Sequence, residues 1–299
     1  NYLYLLLKNG VTIAVVTAAG YEYNREKYEY RLSGLLEYFK KKDLPAEDCE
    51  RFYLFGGECN YLLRMRSDYR LHPVKETGPG GWVTSTKHMR EAPGNWIEED
   101  ITHLLNVAEE TLSHAVSELN MRGRVIRKKR SVGLIPASST GMTREALDEA
   151  VLRVQHELSG LSNITLPFCA FNGGRDVWVD VGNKRVGVEV LQSYAGINKC
   201  ETLHIGDQFL NTGNDYAARD VCPCIWITSP DETTYILKKI LALANVVPSD
   251  DDEQTNENTK SGPSTVNDAG AVNFSECERR TEAVKKMDVF TGELLVQNK

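Results

Sequence analysis

None of the 299 residues lies in an apolar run of membrane-spanning length, and the opening residues do not read as a secretory signal. The expectation is a cytoplasmic protein with no membrane partner. Cations are outnumbered, 35 Lys and Arg against 42 Asp and Glu, for a net charge of −7. That balance argues against a general nucleic-acid binder. Zinc-site spacing is also missing. The seven cysteines, at 49, 59, 169, 200, 222, 224 and 277, are scattered and odd in number, and the pair Cys222 and Cys224 has no second Cys/His pair to complete a site. They read as reduced, buried thiols.

What is present is ordinary for a globular chain: 41% hydrophobic and 26% charged residues, in a length sufficient for two domains. The chain opens at Asn1 without a methionine and runs straight into helix-like text, so its beginning is expected upstream. Leu3, Leu5, Leu6 and Leu7 before Asn9-Gly10 read as a helix end with a glycine stop. Val11–Thr17 is a β-branched run fit for a strand buried on both faces. Tyr28, Leu32, Leu35, Leu36 and Phe39 mark a helix, and Arg51–Met65 two strands about Gly56-Gly57. This alternation predicts an α/β fold with a Rossmann-like parallel sheet.

From Arg66 to Pro167 the text changes to turns, two amphipathic helices (97–119 and 143–158), a basic run at 122–130 and a short strand at 131–136. It is read as an inserted α+β cap. Residues 1–65 are then the first part of the core, 66–167 the cap and 168–246 the second part of the core. Residues 247–299, polar and acidic, are expected to be a largely disordered tail. The basic run is read as a solvated face ahead of an anion-steering one.

The chemistry concentrates at strand ends. Apolar residues lead to Asp207 at the carboxyl end of a strand, where open α/β sheets place ligands. The loop that follows carries Gly213, Asn214 and Asp215. Two hard carboxylate ligands, Asp207 and Asp215, with glycines for close approach, suit Mg²⁺ near a phosphate. Thr17 and Ala18 end another strand, where a hydroxyl and an N–H can hold phosphoryl oxygens. Lys184 starts a helix, against the macrodipole, which taken alone reads equally as an ammonium aimed at an anion and as an ordinary helix-start residue.

Thr17, Lys184 and Asp207, in that order and with a large insert between the first two, resemble the haloacid dehalogenase superfamily. The phrases VTAAGY, FGGECNYLLR, DVWVDVGNK and ETLHIGDQFLNTGNDYAARD together resemble the IMP-specific 5'-nucleotidases. That resemblance implies a haloacid dehalogenase-like core and Mg²⁺-dependent hydrolysis of inosine 5'-monophosphate through an aspartyl-phosphate. It also implies Asp180 and Lys184 as nucleotide contacts, ATP as an effector and a homo-oligomer. The family's nucleophile and general acid, two Asp of a DxD motif on the first strand, do not occur before Thr17, so this sequence alone is expected to be inactive. Two alternatives stay open: a sugar-phosphate mutase or phosphatase of the same superfamily, and a non-catalytic nucleotide-binding module. Arg64, Trp82 and Trp96 are candidates for reading the base, although aromatics at such spots are more often packing residues.

Overall fold

A computed structural model describes residues 1–138, 141–161 and 165–246. The expected disordered tail at 247–299 lies outside the described residues. The fold is α/β, with three sheets and eight α-helices among the described residues.

The first sheet is ordered β1 (Ile13–Val16), β2 (Phe52–Gly56), β3 (Tyr61–Met65), β4 (Leu71–Pro73). β1 and β2 are parallel, while β2–β3 and β3–β4 are antiparallel, so this sheet is mixed where a parallel one is predicted. The period-two rule sorts the side chains of β2. Phe52 and Leu54 enter one apolar cluster with Tyr4, Leu7, Tyr28 and Phe39, from α1 (Tyr2–Lys8) and α2 (Arg25–Lys41). Tyr53 and Phe55 enter the opposite cluster with Trp82 of α4 (Trp82–Ser85) and with Val186 and Val190 of α7 (Lys184–Ala195). Between α2 and β2 the chain makes the short helix α3 (Ala46–Cys49). A helix near the carboxyl end of the described chain, α8 (Pro230–Leu243), closes the first cluster with Leu241. Ser229 caps it by accepting from the Glu232 N–H.

The second unit is antiparallel, ordered β5 (Gly123–Arg127), β6 (Ser131–Pro136), β8 (Val177–Val181), β7 (Phe168–Asn172). One of its faces is covered by α5 (Glu98–Glu118) and α6 (Arg144–Ser159). The apolar stripe of α5, Ile101, Leu104, Leu105, Ala108, Leu112 and Ala115, is buried as its helical spacing requires. Thr143 caps α6 through the Ala146 N–H at 3.2 Å. Val177, Val179 and Val181 meet these helices, which turns Trp178 and Asp180 to the opposite face.

Strand pairing crosses both expected boundaries. β4 hydrogen-bonds to the first sheet although it follows residue 66, and β7 and β8 join β6 although they follow residue 167. The basic run forms β5 itself. β1 also departs from expectation. Ala14 is exposed and its neighbours are half-buried, because one hydrogen-bonding edge of β1 has no partner among the described residues.

The third sheet is the parallel pair β9 (His204–Gly206) and β10 (Cys224–Trp226). It is joined to α7 through Val188, Phe209, Val221 and Cys224. β9 likewise keeps one edge unpaired among the described residues. No helix of the described residues is long and apolar enough to cross a membrane.

Candidate active site

The expected strand-end residues meet where β1, the β2–β3 turn, the start of α7 and the loop after β9 come together. Lys184 opens α7, whose cap is Asn183, with its side chain accepting from the Val186 N–H at 3.0 Å. The Lys184 side chain is only 10% exposed. Its Nζ donates to Asp215 Oδ1 at 2.6 Å and to Asn214 Oδ1 at 3.1 Å. Three N–H bonds are available to an ammonium, so one is left over after these two. Burial alone would push the Lys184 pKa down, but the Asp215 and Glu58 carboxylates more than offset it and the pKa is raised.

Asp215 is the organising carboxylate. Its Oδ1 also accepts from His204 Nε2 at 2.8 Å, and its Oδ2 accepts the backbone N–H groups of Asp207 at 3.1 Å and Gln208 at 2.9 Å. Burial would raise its pKa, yet the His204 hydrogen bond and the Lys184 ammonium hold it well below the usual carboxylate range. A carboxylate offers about four lone pairs. All are engaged here, which fits Asp215 as the residue that shapes the Asp207 loop and orients Lys184, and leaves no lone pair for a metal. Gly206 belongs to the same arrangement, since a Cβ there would drive into the Asp215 carboxylate.

Asp207 is different. It is exposed, and its carboxylate takes no hydrogen bond among the described residues, while its backbone is fixed at both ends. The N–H is held by Asp215, and the carbonyl accepts from Trp226 Nε1 at 3.0 Å. Among the described residues it is the exposed hard-oxygen donor of the site whose carboxylate is wholly unengaged. No group of three or more His, Cys, Asp or Glu among the described residues is arranged to hold a metal ion.

Thr17 leaves β1 half-buried, its Oγ1 accepting from the Ala19 N–H at 3.1 Å. The hydroxyl proton and the Ala18 N–H remain for a ligand. The Thr17 carbonyl accepts from the Glu58 N–H at 3.3 Å. Glu58 is the residue that sequence reasoning missed. It is fully buried in the β2–β3 turn, and its Oε1 accepts from Asn214 Nδ2 at 2.8 Å. Thr17, Glu58, Asn214, Lys184, Asp215 and Asp207 are thus one continuous hydrogen-bonded chain. His204, also missed, supports it from β9. Periodicity shows none of this, because Glu58 sits in what reads as a polar hairpin tip.

Asp180 approaches from the second unit on the face of β8 turned away from α5 and α6. It is 3% exposed, with Oδ2 unpartnered among the described residues, and burial holds its pKa well above the usual value. On the same face Trp178 lies against Gly133, and the Lys128 ammonium stands 4.1 Å from its ring centroid. The hinge from β8 to α7 is tied to the turn of Glu58. Asn60 Nδ2 donates to the Val181 carbonyl at 2.7 Å, and a Cβ at Gly182 (φ 94°) would strike the Glu58 carbonyl. Two of the base-reading candidates are structural: Trp82 is buried against Phe55, and Arg64 binds Glu50 and lies over Tyr53. Trp96 donates to the Glu91 carbonyl and its ring reaches Gly182 at the hinge.

The profile of the family described as IMP-specific 5'-nucleotidase matches residues 1–237. The chain is similar to IMP-specific 5'-nucleotidase 1 of Plasmodium falciparum, at 36% identity over 255 residues, covering 81% of this chain and 54% of that protein. The Neurospora crassa relative is 41% identical over 254 residues, covering 80% and 57%. Among solved structures, an IMP-bound mutant of Plasmodium falciparum IMP-nucleotidase superposes with a TM-score of 0.73 at 37% identity, covering 81% of this chain and 61% of that one. The ATP-bound form gives 0.68 at 37% identity, covering 80% and 54%. The chain spans a little over half the length of the curated relatives it matches.

Proposed function

This chain belongs to the IMP-specific 5'-nucleotidase family, and on that premise we propose that the whole protein hydrolyses inosine 5'-monophosphate to inosine and phosphate. The observation that carries the reading is the buried Lys184 ammonium, held by Asn214 and Asp215 with one N–H to spare, within a network that reaches Thr17. A cation fixed in this way is preorganised for a phosphoryl group and needs no rearrangement as charge builds there. The Thr17 hydroxyl and the Ala18 N–H hold phosphoryl oxygens, and Lys184 neutralises them. Asp180 contacts the nucleotide from the cap face.

The core is read as haloacid dehalogenase-like, and the nucleophile is a carboxylate of a DxD motif outside this sequence. One edge of β1 and one of β9 are unpaired among the described residues, which supports that assignment, since a strand bearing the motif would pair there. Attack of that carboxylate on phosphorus gives an aspartyl-phosphate, which water then hydrolyses. Asp207 fits a divalent cation. It is an unengaged hard-oxygen donor, and Mg²⁺ is commonly held by one or two carboxylates together with waters and substrate phosphate. Bound there, Mg²⁺ would supply charge neutralisation between carboxylate and phosphate. Asp215 keeps the Asp207 backbone in place for it.

The ATP-bound relative supports ATP as a second ligand, acting as an effector, and assembly is proposed to be homo-oligomeric. The free cysteines among the described residues fit a reducing, cytoplasmic setting. The test is phosphate release from a panel of monophosphates by the full-length protein with Mg²⁺. IMP should lead the panel and Asp207→Asn should abolish release, while near-normal turnover by that variant, or preference for hexose phosphates, would sink the reading.

A further inference from the structure

We propose that Glu58 is a positioning residue of the phosphate site, setting the orientation of the Asn214 amide so that its carbonyl oxygen, and not its NH₂ group, faces the Lys184 ammonium. The inference rests on the functional reading above and extends it to a residue that touches no substrate.

Three observations carry it. The first is the turn itself. Gly57, Glu58 and Cys59 have φ of 62°, 47° and 73°, and the turn is closed by the Asn60 N–H on the Gly56 carbonyl at 3.0 Å. Two consecutive non-glycine residues in the left-handed region are strained, and such strain persists where the surroundings over-determine it. Here the surroundings are the Thr17 carbonyl, the Val181 carbonyl and the hinge glycine Gly182.

The second is the bonding. Glu58 Oε1 accepts from Asn214 Nδ2, and Asn214 Oδ1 accepts from Lys184 Nζ. An amide can turn either way, but only one way serves both neighbours. Flipped, it would set its NH₂ against an ammonium and its oxygen against a carboxylate. Glu58, an acceptor only when ionised, permits one orientation.

The third is that the carboxylate is kept at a cost. Its Oε2 is buried without a partner among the described residues. Burial raises its pKa to about 7, with Asp215 adding to the rise and Lys184 and Asn214 opposing it. The other charged or titratable groups facing it are Asp180, Cys59 and Cys169. A residue needed for packing alone would be better as an amide or an apolar side chain.

The experiment compares the full-length wild type with Glu58→Gln, Asn214→Asp and the double variant. Both single variants should lose at least tenfold in kcat for IMP while KM stays within threefold. The double variant should regain part of that loss, because a glutamine amide can donate to an aspartate that still accepts from Lys184. Stability should move the other way. Since the folded pKa of Glu58 is raised from 4.5 to about 7, the penalty on the fold builds as pH rises from about 4.5 and is complete above about 7. Glu58→Gln should therefore raise Tm more at pH 8 than at about pH 4, where neither state of Glu58 is ionised. A third readout needs no substrate: the Asn214 side-chain amide protons, protected from exchange in the wild type, should lose that protection in Glu58→Gln. Wild-type kcat in Glu58→Gln, or unchanged Asn214 protection, overturns the proposal. Failure of the wild type to hydrolyse IMP overturns the functional reading instead, and the proton-exchange result then decides the role of Glu58.

Discussion

Lys184 is a cation placed where two general effects oppose it. It starts a helix, where the macrodipole disfavours positive charge by about 0.3–1 kcal/mol, and it is buried. Asp215 offsets both through a buried ion pair at 2.6 Å. Removing one partner leaves the other charged and unpaired in the interior. Lys184→Met or Asp215→Asn should each destabilise the protein by about 3–5 kcal/mol, read from urea unfolding at pH 7. Because the folded pKa of Asp215 is depressed, its contribution is present above the ordinary aspartate value of about 4 and is lost as pH falls below it. Asp215→Asn should therefore remove part of the acid limb of the stability profile; an unchanged acid limb would count against the pairing. At this scale the placement of Asp207 just past a strand and of Lys184 at a helix start was legible in the sequence, whereas the partners of Asp215, expected as a metal ligand, were not. Glu58 was not, because its importance comes from burial and from Asn214, which lies 156 residues away.

Among the elements, α7 carries most of the site, and its first turn is held by Asn183. Asn183→Ala should cost about 0.5–2 kcal/mol in stability by leaving the Val186 N–H unsatisfied. It should also lower turnover more than a surface change of equal cost, since fraying of that turn moves Lys184. A kinetic comparison with Thr143→Ala, an equivalent cap on α6, separates the two effects. The helices at 97–119 and 143–158 were readable from their spacing: α5 and α6 start and end within a residue or two of expectation. β5 was not, because Arg124, Arg127 and Lys128 mask a strand whose pairing to β6 is entirely tertiary.

For the molecule as a whole, the apolar cluster beneath α5 and α6 shares no fully buried residue with those on either side of the first sheet, and only the half-buried Trp96 packs against both it and the cluster on the α7 side among the described residues. The two should unfold as separate cooperative units. Native-state hydrogen exchange should place the amides of β5–β8, α5 and α6 on one denaturant isotherm and those of β1–β4, α1, α2 and α8 on another. Merging onto a single isotherm would show that the hinge at Gly182 couples them fully. The change of character after residue 65 was visible in the sequence, and the helices α5 and α6 lie within it. The edges of the second unit were not, since which strands pair with β6 is decided by register and burial across nearly fifty residues.

Among the described residues one edge of β1 and one of β9 have no partner, which bears on how this polypeptide behaves in a test tube. A row of free N–H and C=O groups is a template for any extended chain, including a second copy of itself. Produced as it stands, the polypeptide should be sticky, with light scattering that rises with concentration and time. Ala14→Lys, which puts a charge on the exposed side of β1, should slow that rise, and equal scattering from both proteins would show that the edge is shielded.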